Sequence, residues 1–353
     1  MPRQLQALFS ANAIGLGHAA RAVALADDLV RELHVEPFFL AAGPAVDFVA
    51  ANHYDVQVME PPPPFEAAGG VMVHVGAWYR RYFAYYRRVR RWLRREVDWK
   101  SYAFALCDGD VPTAGVAKGA GLPVVYVAHR LRQDFAQTSG ARLLEGLANR
   151  AYRRFARRMD LVLTLEKEEG ANVRWIPPVA RRSTRPREKI RDDMVWRKKT
   201  VLVVVGGSNL GGFLLAPAVE AVRSLARADI QVMVSTGPSV PMPAGLDVFN
   251  YGFVSNQQDL IAAADLVVCT AGKSTIAQAL ASGTPVIAIP IRGHAEAERN
   301  AAALGYRSED LHRLRDLITA KLDGPRPEPA PTGNALAVGY VRELLASRGL
   351  LRE

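Results

Sequence analysis

Only two cysteines occur in the 353 residues, Cys107 and Cys269, and each ends an apolar, strand-like run. That excludes a disulfide framework and a cysteine-based metal site, and it reads as two buried thiols in a reducing compartment. No apolar run approaches the ~18–20 residues needed to cross a bilayer. The opening MPRQLQALFSANAIG lacks the apolar core and cleavage site of a secretory signal. A cytoplasmic protein without a membrane-spanning helix is therefore expected. No repeat of fixed short period is present, which excludes solenoids and propellers. Neither glycine-rich turn of the chain gives G-x-G-x-x-G with an acid ~20 residues on, so a dinucleotide oxidoreductase is not expected.

What is present reads as a two-domain α/β chain. At roughly 100–200 residues per domain, 353 residues predict two domains. Hydrophobic residues at 49% against 23% charged place the chain among globular proteins and not disordered ones. The net charge of +10 suits a partner that carries phosphates: a nucleotide, an anionic lipid surface or nucleic acid. Much of the excess is local, with nine Lys/Arg and two acids in residues 78–100. No RNA-binding or helix-turn-helix signature accompanies it, and the arginines concentrate in one helix, so nucleic acid is not the expected partner.

Strand-like runs at Leu5–Ser10, Val35–Ala41, Asp55–Val58, Tyr102–Cys107, Pro123–Val127 and Leu161–Leu165 alternate with helical patterns at His18–Leu33, Pro44–Asn52, Trp78–Val97, Val111–Gly119 and Arg142–Arg158. Such alternation predicts a parallel sheet covered on both faces. Residues 177–199 are polar, Pro-containing and charged, and read as a linker. The pattern restarts at Thr200–Val205 and continues through Ile230–Ser235, Leu246–Asn250, Leu266–Cys269 and Val286–Ile289. The expected domains are thus residues 1–176 and 200–332, two doubly wound Rossmann-like halves facing across a cleft. A closing helix follows a Pro-rich break, within residues 333–353.

The stretch Asp265–Asn300, DLVVCTAGKSTIAQALASGTPVIAIPIRGHAEAERN, is the most informative. A buried strand leads into the small-residue turn Thr270-Ala271-Gly272, where backbone approaches a ligand closely. Lys273-Ser274-Thr275 then opens a helix, whose amino end carries unpaired N–H groups and a positive dipole and so suits a pyrophosphate. Gln278 lies one turn on, at ribose distance. An isolated Ser274-Thr275 reads as a plain helix cap; the small-residue turn before it, a second turn, Gly206-Gly207-Ser208, after the strand Thr200–Val205, and the downstream His/Glu/Asn cluster favour the ligand. Further on, His294, Glu296 and Asn300 open another helix, and the four-residue spacing puts Glu296 and Asn300 on one face. The alternative there is a solvated charged helix start.

These residues resemble the donor-binding region of GT-B glycosyltransferases, in particular glycosyltransferase family 28 and its MurG-like relatives. Gly272, Lys273, Ser274 and Thr275 match the family's phosphate loop. His294–Asn300 matches its G-H-x-E-Q-x-x-N-A segment, and Tyr251-Gly252-Phe253-Val254 resembles the loop that touches the base. Gln278 stands where the family has a ribose-binding Glu, and Ala297 where it has a sugar-binding Gln. At the N-terminus, Gly15, Gly17, His18 and Arg21 resemble its G-x-G-H-x-x-R opening.

The resemblance implies transfer of a sugar from a nucleotide-sugar, a UDP-sugar by analogy, to an acceptor hydroxyl, lipid-linked in MurG-like enzymes. It implies no bound metal and no cofactor. His18 is a candidate general base, since an imidazole suits that role, or else it shapes the Gly-rich loop or binds phosphate. Asp108 or Asp110, after the strand Tyr102–Cys107, either replaces it or orients it, and His129 is a further acceptor-side candidate. The helix 78–97 aligns Trp78, Tyr82, Tyr85, Val89, Leu93 and Val97 in one stripe with arginines around the rest. Such a helix fits peripheral contact with an anionic membrane on its inner face, or else packs its stripe on the sheet. Rival readings are a nucleotide-sugar 2-epimerase of the same fold and, from charge alone, a nucleic-acid-binding protein.

Overall fold

The computed structural model describes residues 5–13, 16–64, 67–68, 71–72, 75–132, 139–206, 209–238 and 240–351. Gly15, Gly207 and Ser208 lie outside these. In chain order the strands are β1 (Leu5–Ala11), β2 (Val35–Ala41), β3 (Asp55–Val58), the two-residue β4 (Ala67–Ala68) and β5 (Val71–Met72), β6 (Phe104–Asp108), β7 (Val124–Ala128), β8 (Leu161–Thr164), β9 (Val173–Trp175), β10 (Lys199–Val204), β11 (Ile230–Ser235), β12 (Phe249–Asn250), β13 (Leu266–Cys269) and β14 (Val286–Ala288). The helices are α1 (Gly17–Leu33), α2 (Pro44–Ala50), α3 (Val75–Glu96), α4 (Val111–Gly119), α5 (Ser139–Ala156), α6 (Arg187–Asp193), α7 (Leu215–Arg223), α8 (Gln257–Ala263), α9 (Lys273–Ala281), α10 (Ala295–Ala302), α11 (Leu314–Asp323) and α12 (Asn334–Ser347).

Two compact units result. The first is built on residues up to Val179 together with Gly333–Glu353, the second on Ala180–Thr332. The first unit's parallel sheet has the order β3-β2-β1-β6-β7-β8-β9, and the second's the order β12-β11-β10-β13-β14. The central strands β6, β7, β10 and β13 are buried along nearly their whole length. Runs such as Thr200–Val205 are apolar without alternation because helices cover both faces of a parallel sheet. In each sheet the winding reverses once, between β1 and β6 and between β10 and β13. In open sheets of this kind ligands sit beyond the carboxyl ends of the strands at that reversal.

Two stretches differ from the expectation. Residues 177–199 do not form a linker: from Ala180 on they fold with the second unit, with Ile190 and Trp196 in its core. Their charge pattern hid this, because the arginines of α6 are structural. Arg187 and Arg191 hold the two oxygens of Asp265, at 2.6 and 2.9 Å, at the start of β13. The Pro-rich break beyond α11 also folds with the second unit, with the Ala330 N–H on the Leu280 carbonyl of α9. Helix α12 returns to the first unit, where Asn334 Nδ2 donates to Asp28 on α1 at 2.6 Å. The predicted strand Leu246–Asn250 shrinks to Phe249–Asn250 on the sheet edge, and the edge strand β9 was too short to show a period.

Candidate functional site

At the reversal of the first sheet, Ala11 on β1 lies opposite Asp108 on β6. The chain then turns at Gly109, with a left-handed φ of +66°. Asn12 holds that turn, its N–H on the Asp108 carbonyl at 2.9 Å and its side-chain amide on the Gly109 carbonyl at 3.4 Å. A Cβ at position 109 would lie 2.7 Å from His18 Cε1. Only glycine therefore lets the imidazole reach the strand end. Helix α1 begins at Gly17, so His18 stands in its first turn and Arg21 one turn on, along the same face.

Asp108 is fully buried and both its oxygens are taken. Arg21 Nε donates to Oδ2 and Arg21 Nη2 to Oδ1, each at 2.5 Å, and His18 Nδ1 lies 2.6 Å from Oδ1. A carboxylate only accepts, so the proton of this pair is on His18 Nδ1, and in the neutral imidazole Nε2 is the nitrogen with the lone pair. Arg21 Nη2 also lies 3.1 Å from Nδ1, a contact that cannot be a second hydrogen bond while Nδ1 carries that proton. Burial alone pushes the Asp108 carboxyl up, but the Arg21 charge and the bonds from His18 and Arg21 outweigh it and hold it below the usual carboxylate range. Arg21 Nη1 reaches His129 Nε2 at 3.1 Å, and the His18 and His129 rings meet edge-on with centroids 5.6 Å apart. Asp110 plays a different part. It caps α4, accepting from Thr113 N–H at 3.3 Å and Thr113 Oγ1 at 2.6 Å, and burial pushes its carboxyl up. Neither aspartate is open to an acceptor; His18, with its side chain 21% exposed, and His129 are the half-buried groups of this cluster.

At the reversal of the second sheet, Val204 on β10 lies opposite Cys269 on β13. Beyond them, Gly206 and the turn Thr270–Gly272 adjoin, tied by Thr270 Oγ1 donating to the Val205 carbonyl at 3.3 Å. Ala271 is buried and holds a left-handed φ of +59°, uncommon without glycine. Asn300 Nδ2 donates to the Ala271 carbonyl at 3.0 Å and fixes that turn. Gly272 occupies the N-cap of α9, so no side chain covers the amino end of the helix from that position. Thr275 and Gln278 are buried and Lys273 and Ser274 half-buried. His294 caps α10 through Nδ1, which accepts from the Ala297 N–H at 3.2 Å. A neutral imidazole then carries its proton on Nε2, a donor suited to an anion. Across the edge, the loop of Phe253 and Val254 is set by Asn250, whose Oδ1 accepts from Gly252 N–H at 2.9 Å, and by Trp196, whose indole donates to the Tyr251 hydroxyl at 2.8 Å.

Residues 201–319 match the model of the glycosyltransferase family 28 C-terminal domain. The match lies within the second unit. Over 197 residues the chain is 27% identical to an uncharacterized glycosyltransferase of Methanopyrus kandleri, covering 51% of this chain and 54% of that one. Over 190 residues it is 32% identical to the UDP-N-acetylglucosamine–N-acetylmuramyl-(pentapeptide) pyrophosphoryl-undecaprenol N-acetylglucosamine transferase of a Nocardioides species, covering 50% and 52%. The chain thus spans about half the length of these curated relatives. Among solved structures, the spinosyn rhamnosyltransferase SpnG complexed with thymidine diphosphate aligns over 97% of this chain and 96% of its own, with a TM-score of 0.59 and 15% identity. The fold is GT-B, with two Rossmann-like units.

Within the second unit, the carboxyl edge gathers Gly206, Thr270–Thr275 and Asn300, while the loops of Phe253–Val254 and His294 follow the two edge strands of the same sheet, β12 and β14. Asn300 turns its amide to the Ala271 carbonyl, a contact that spacing could not reveal. Asn12, Gly109, Asn250 and Trp196 were missed. Of these, only the Asp-Gly pair at the end of β6 left a signal in sequence, as a turn dipeptide. The aromatic stripe of α3 is structural: Tyr85, Val89, Leu93 and Val97 are buried in the first unit's core, with Tyr82 packed against it. The case for membrane contact through that stripe therefore falls, since its apolar side chains already face the sheet. No helix among the described residues is long and apolar enough to cross a membrane. Cys107 and Cys269 are buried free thiols, and burial pushes Cys269 up to about 12.

Proposed function

We propose that the chain transfers a sugar from a UDP-sugar to an acceptor hydroxyl, with no metal needed at the diphosphate. What carries the reading is the turn Thr270–Gly272 at the reversal of the family 28 sheet, which opens α9 toward the carboxyl edge. In this reading the diphosphate rests on the amino end of α9, with Lys273 supplying a cation and Ser274 and Thr275 hydroxyl donors. Phe253 and Val254 border the base, Gln278 the ribose, and His294 and Glu296 the sugar. His18 Nε2 removes the acceptor hydroxyl's proton. That oxygen bonds the anomeric carbon as the bond from this carbon to the diphosphate breaks, and the electron pair leaves with the nucleotide. The relatives named for a UDP-sugar donor and a pyrophosphoryl-undecaprenol acceptor support the donor class and a lipid-linked acceptor.

Calorimetry with UDP, dTDP and GDP tests the site. Lys273→Ala and Thr275→Ala are each expected to weaken the preferred diphosphate about tenfold, the loss of one charge-assisted bond. Unchanged affinity in both would remove the site. Asn300→Ala is expected to weaken UDP and UDP-sugar alike, because it acts through the Ala271 turn; a loss confined to the UDP-sugar would place Asn300 on the sugar instead.

A lipid-linked acceptor calls for membrane contact, which we assign to the outer side of α3 and α5. Leu143, Leu144 and Leu147 on α5 and Phe83 on α3 are more than half exposed. Exposed arginines share these helices, among them Arg80, Arg87, Arg150 and Arg154. Co-sedimentation with phosphatidylglycerol vesicles should be salt-sensitive and weakened by Leu143→Asp with Leu147→Asp. Equal pelleting of parent and variant would reject this surface.

A further inference from the structure

In a Ser-His-Asp triad the aspartate stabilises the imidazolium that forms as the histidine takes its proton. The first unit departs from that pattern. Its aspartate is matched by a buried guanidinium: Arg21, 3% exposed, takes both oxygens of the fully buried Asp108, and His18 shares Oδ1 with it. Arginine stays charged at every accessible pH. The pair is therefore neutral, and His18 rests against a compensated carboxylate.

The same guanidinium governs the second imidazole. It has only donors, so His129 Nε2 accepts from Arg21 Nη1. That bond requires the His129 proton to be on Nδ1. Protonating Nε2 would break the bond and set two cations side by side. Both rings thus hold their single proton on Nδ1, and both owe this to one arginine.

We propose that Arg21 is a positioning residue that sets the proton affinity of His18 by neutralising Asp108, and that keeps His129 neutral through the same guanidinium. Among the described residues, the charged or titratable groups facing His18 are Asp108 at the end of β6, Arg21 on α1, His129 after β7 and, more distantly, the buried Asp110 that caps α4. Among them Arg21 is the permanent cation. The proposal deepens the reading of His18 as the base, but its test needs neither donor nor acceptor, so it can fail while that reading stands.

The test is a pH titration by NMR of the full chain labelled with nitrogen-15 histidine, with His18 and His129 assigned from their alanine variants. In the parent, both rings should show a protonated Nδ1 and a bare Nε2. Arg21→Gln exposes His18 to an uncompensated carboxylate and should raise its proton affinity at least about tenfold; Asp108→Asn leaves the arginine uncompensated and should lower it by a similar factor. The double variant removes both charges and should return close to the parent, which completes the cycle. It buries no unpaired charge, so it can overturn the proposal even where one single variant does not fold, while the shift in the other single variant supplies the support. An unchanged His18 titration in folded Arg21→Gln, or a double variant displaced tenfold from the parent, overturns the proposal.

Discussion

A His18→Ala chain is expected to bind UDP as the parent does and to turn over a UDP-sugar about two to four orders of magnitude more slowly, the usual worth of a positioned general base. The geometry predicts that split. His18 stands in the first unit, on the Asp108 carboxylate, while the residues assigned to the diphosphate lie in the second. Its Nε2 is the atom of the cluster with a lone pair to offer, because Nδ1 is committed to Asp108 and both aspartates are buried and occupied. Release of UDP from the UDP-sugar, measured with and without a panel of polyol and glycan acceptors, reads the rate, and calorimetry reads the affinity. A rate close to the parent's in the presence of acceptor would take His18 out of the chemistry.

Replacing Asp108 by alanine should be the most damaging single change to the fold of the first unit, at about 3–5 kcal/mol, because it strands a buried guanidinium. The effect depends on pH with a definite sign. Asp108 is held below its ordinary value in the folded chain, so its contribution is present above the unfolded value of about 3.9 and is lost as pH falls through the folded one. Asp110 acts oppositely. Burial raises it, so its contribution is complete below about 3.9 and is lost as pH rises through its folded value. The parent's acid limb therefore carries the Asp108 slope, and the Asp108→Ala variant should lack it. Urea unfolding followed by tryptophan fluorescence suits the measurement, since four of the five tryptophans, Trp78, Trp92, Trp99 and Trp175, lie in the first unit. An Asp108→Ala chain as stable as the parent near neutral pH would mean that Arg21 finds another partner or remains hydrated.

Much of the fold was legible because the two doubly wound halves write their strands as continuous apolar runs and punctuate them with glycine. Thr200–Val205 and Leu266–Cys269 were readable for that reason, and so was the turn after each. Other parts depend on pairing across long separations. Nothing local distinguishes Arg21 from any other helical arginine; its role appears only when β6 brings Asp108 beside α1, 87 residues on. Asn300 matches a family motif by position, yet its amide is turned to the Ala271 carbonyl, 29 residues earlier. The α3 stripe shows the converse limit. Its spacing announced a buried face, but amphipathicity does not say whether a sheet or a lipid surface does the burying. The segment 177–199 misled through composition, because its arginines bond carboxylates and carbonyls inside the second unit.

The route of α12 has a consequence for any attempt to take the molecule apart. Since Gly333–Glu353 belongs with the opening residues, the second unit is an insert, and the polypeptide leaves and re-enters its host near Val179 and Thr332. A single cut yields an amino-terminal piece deprived of the helix that lies on α1, with Ala337, Val338, Val341 and Leu345 removed from their burial. Exchanging the second unit between relatives of this architecture accordingly takes two splice points, and a chimera spliced only once trades away part of the host's own core.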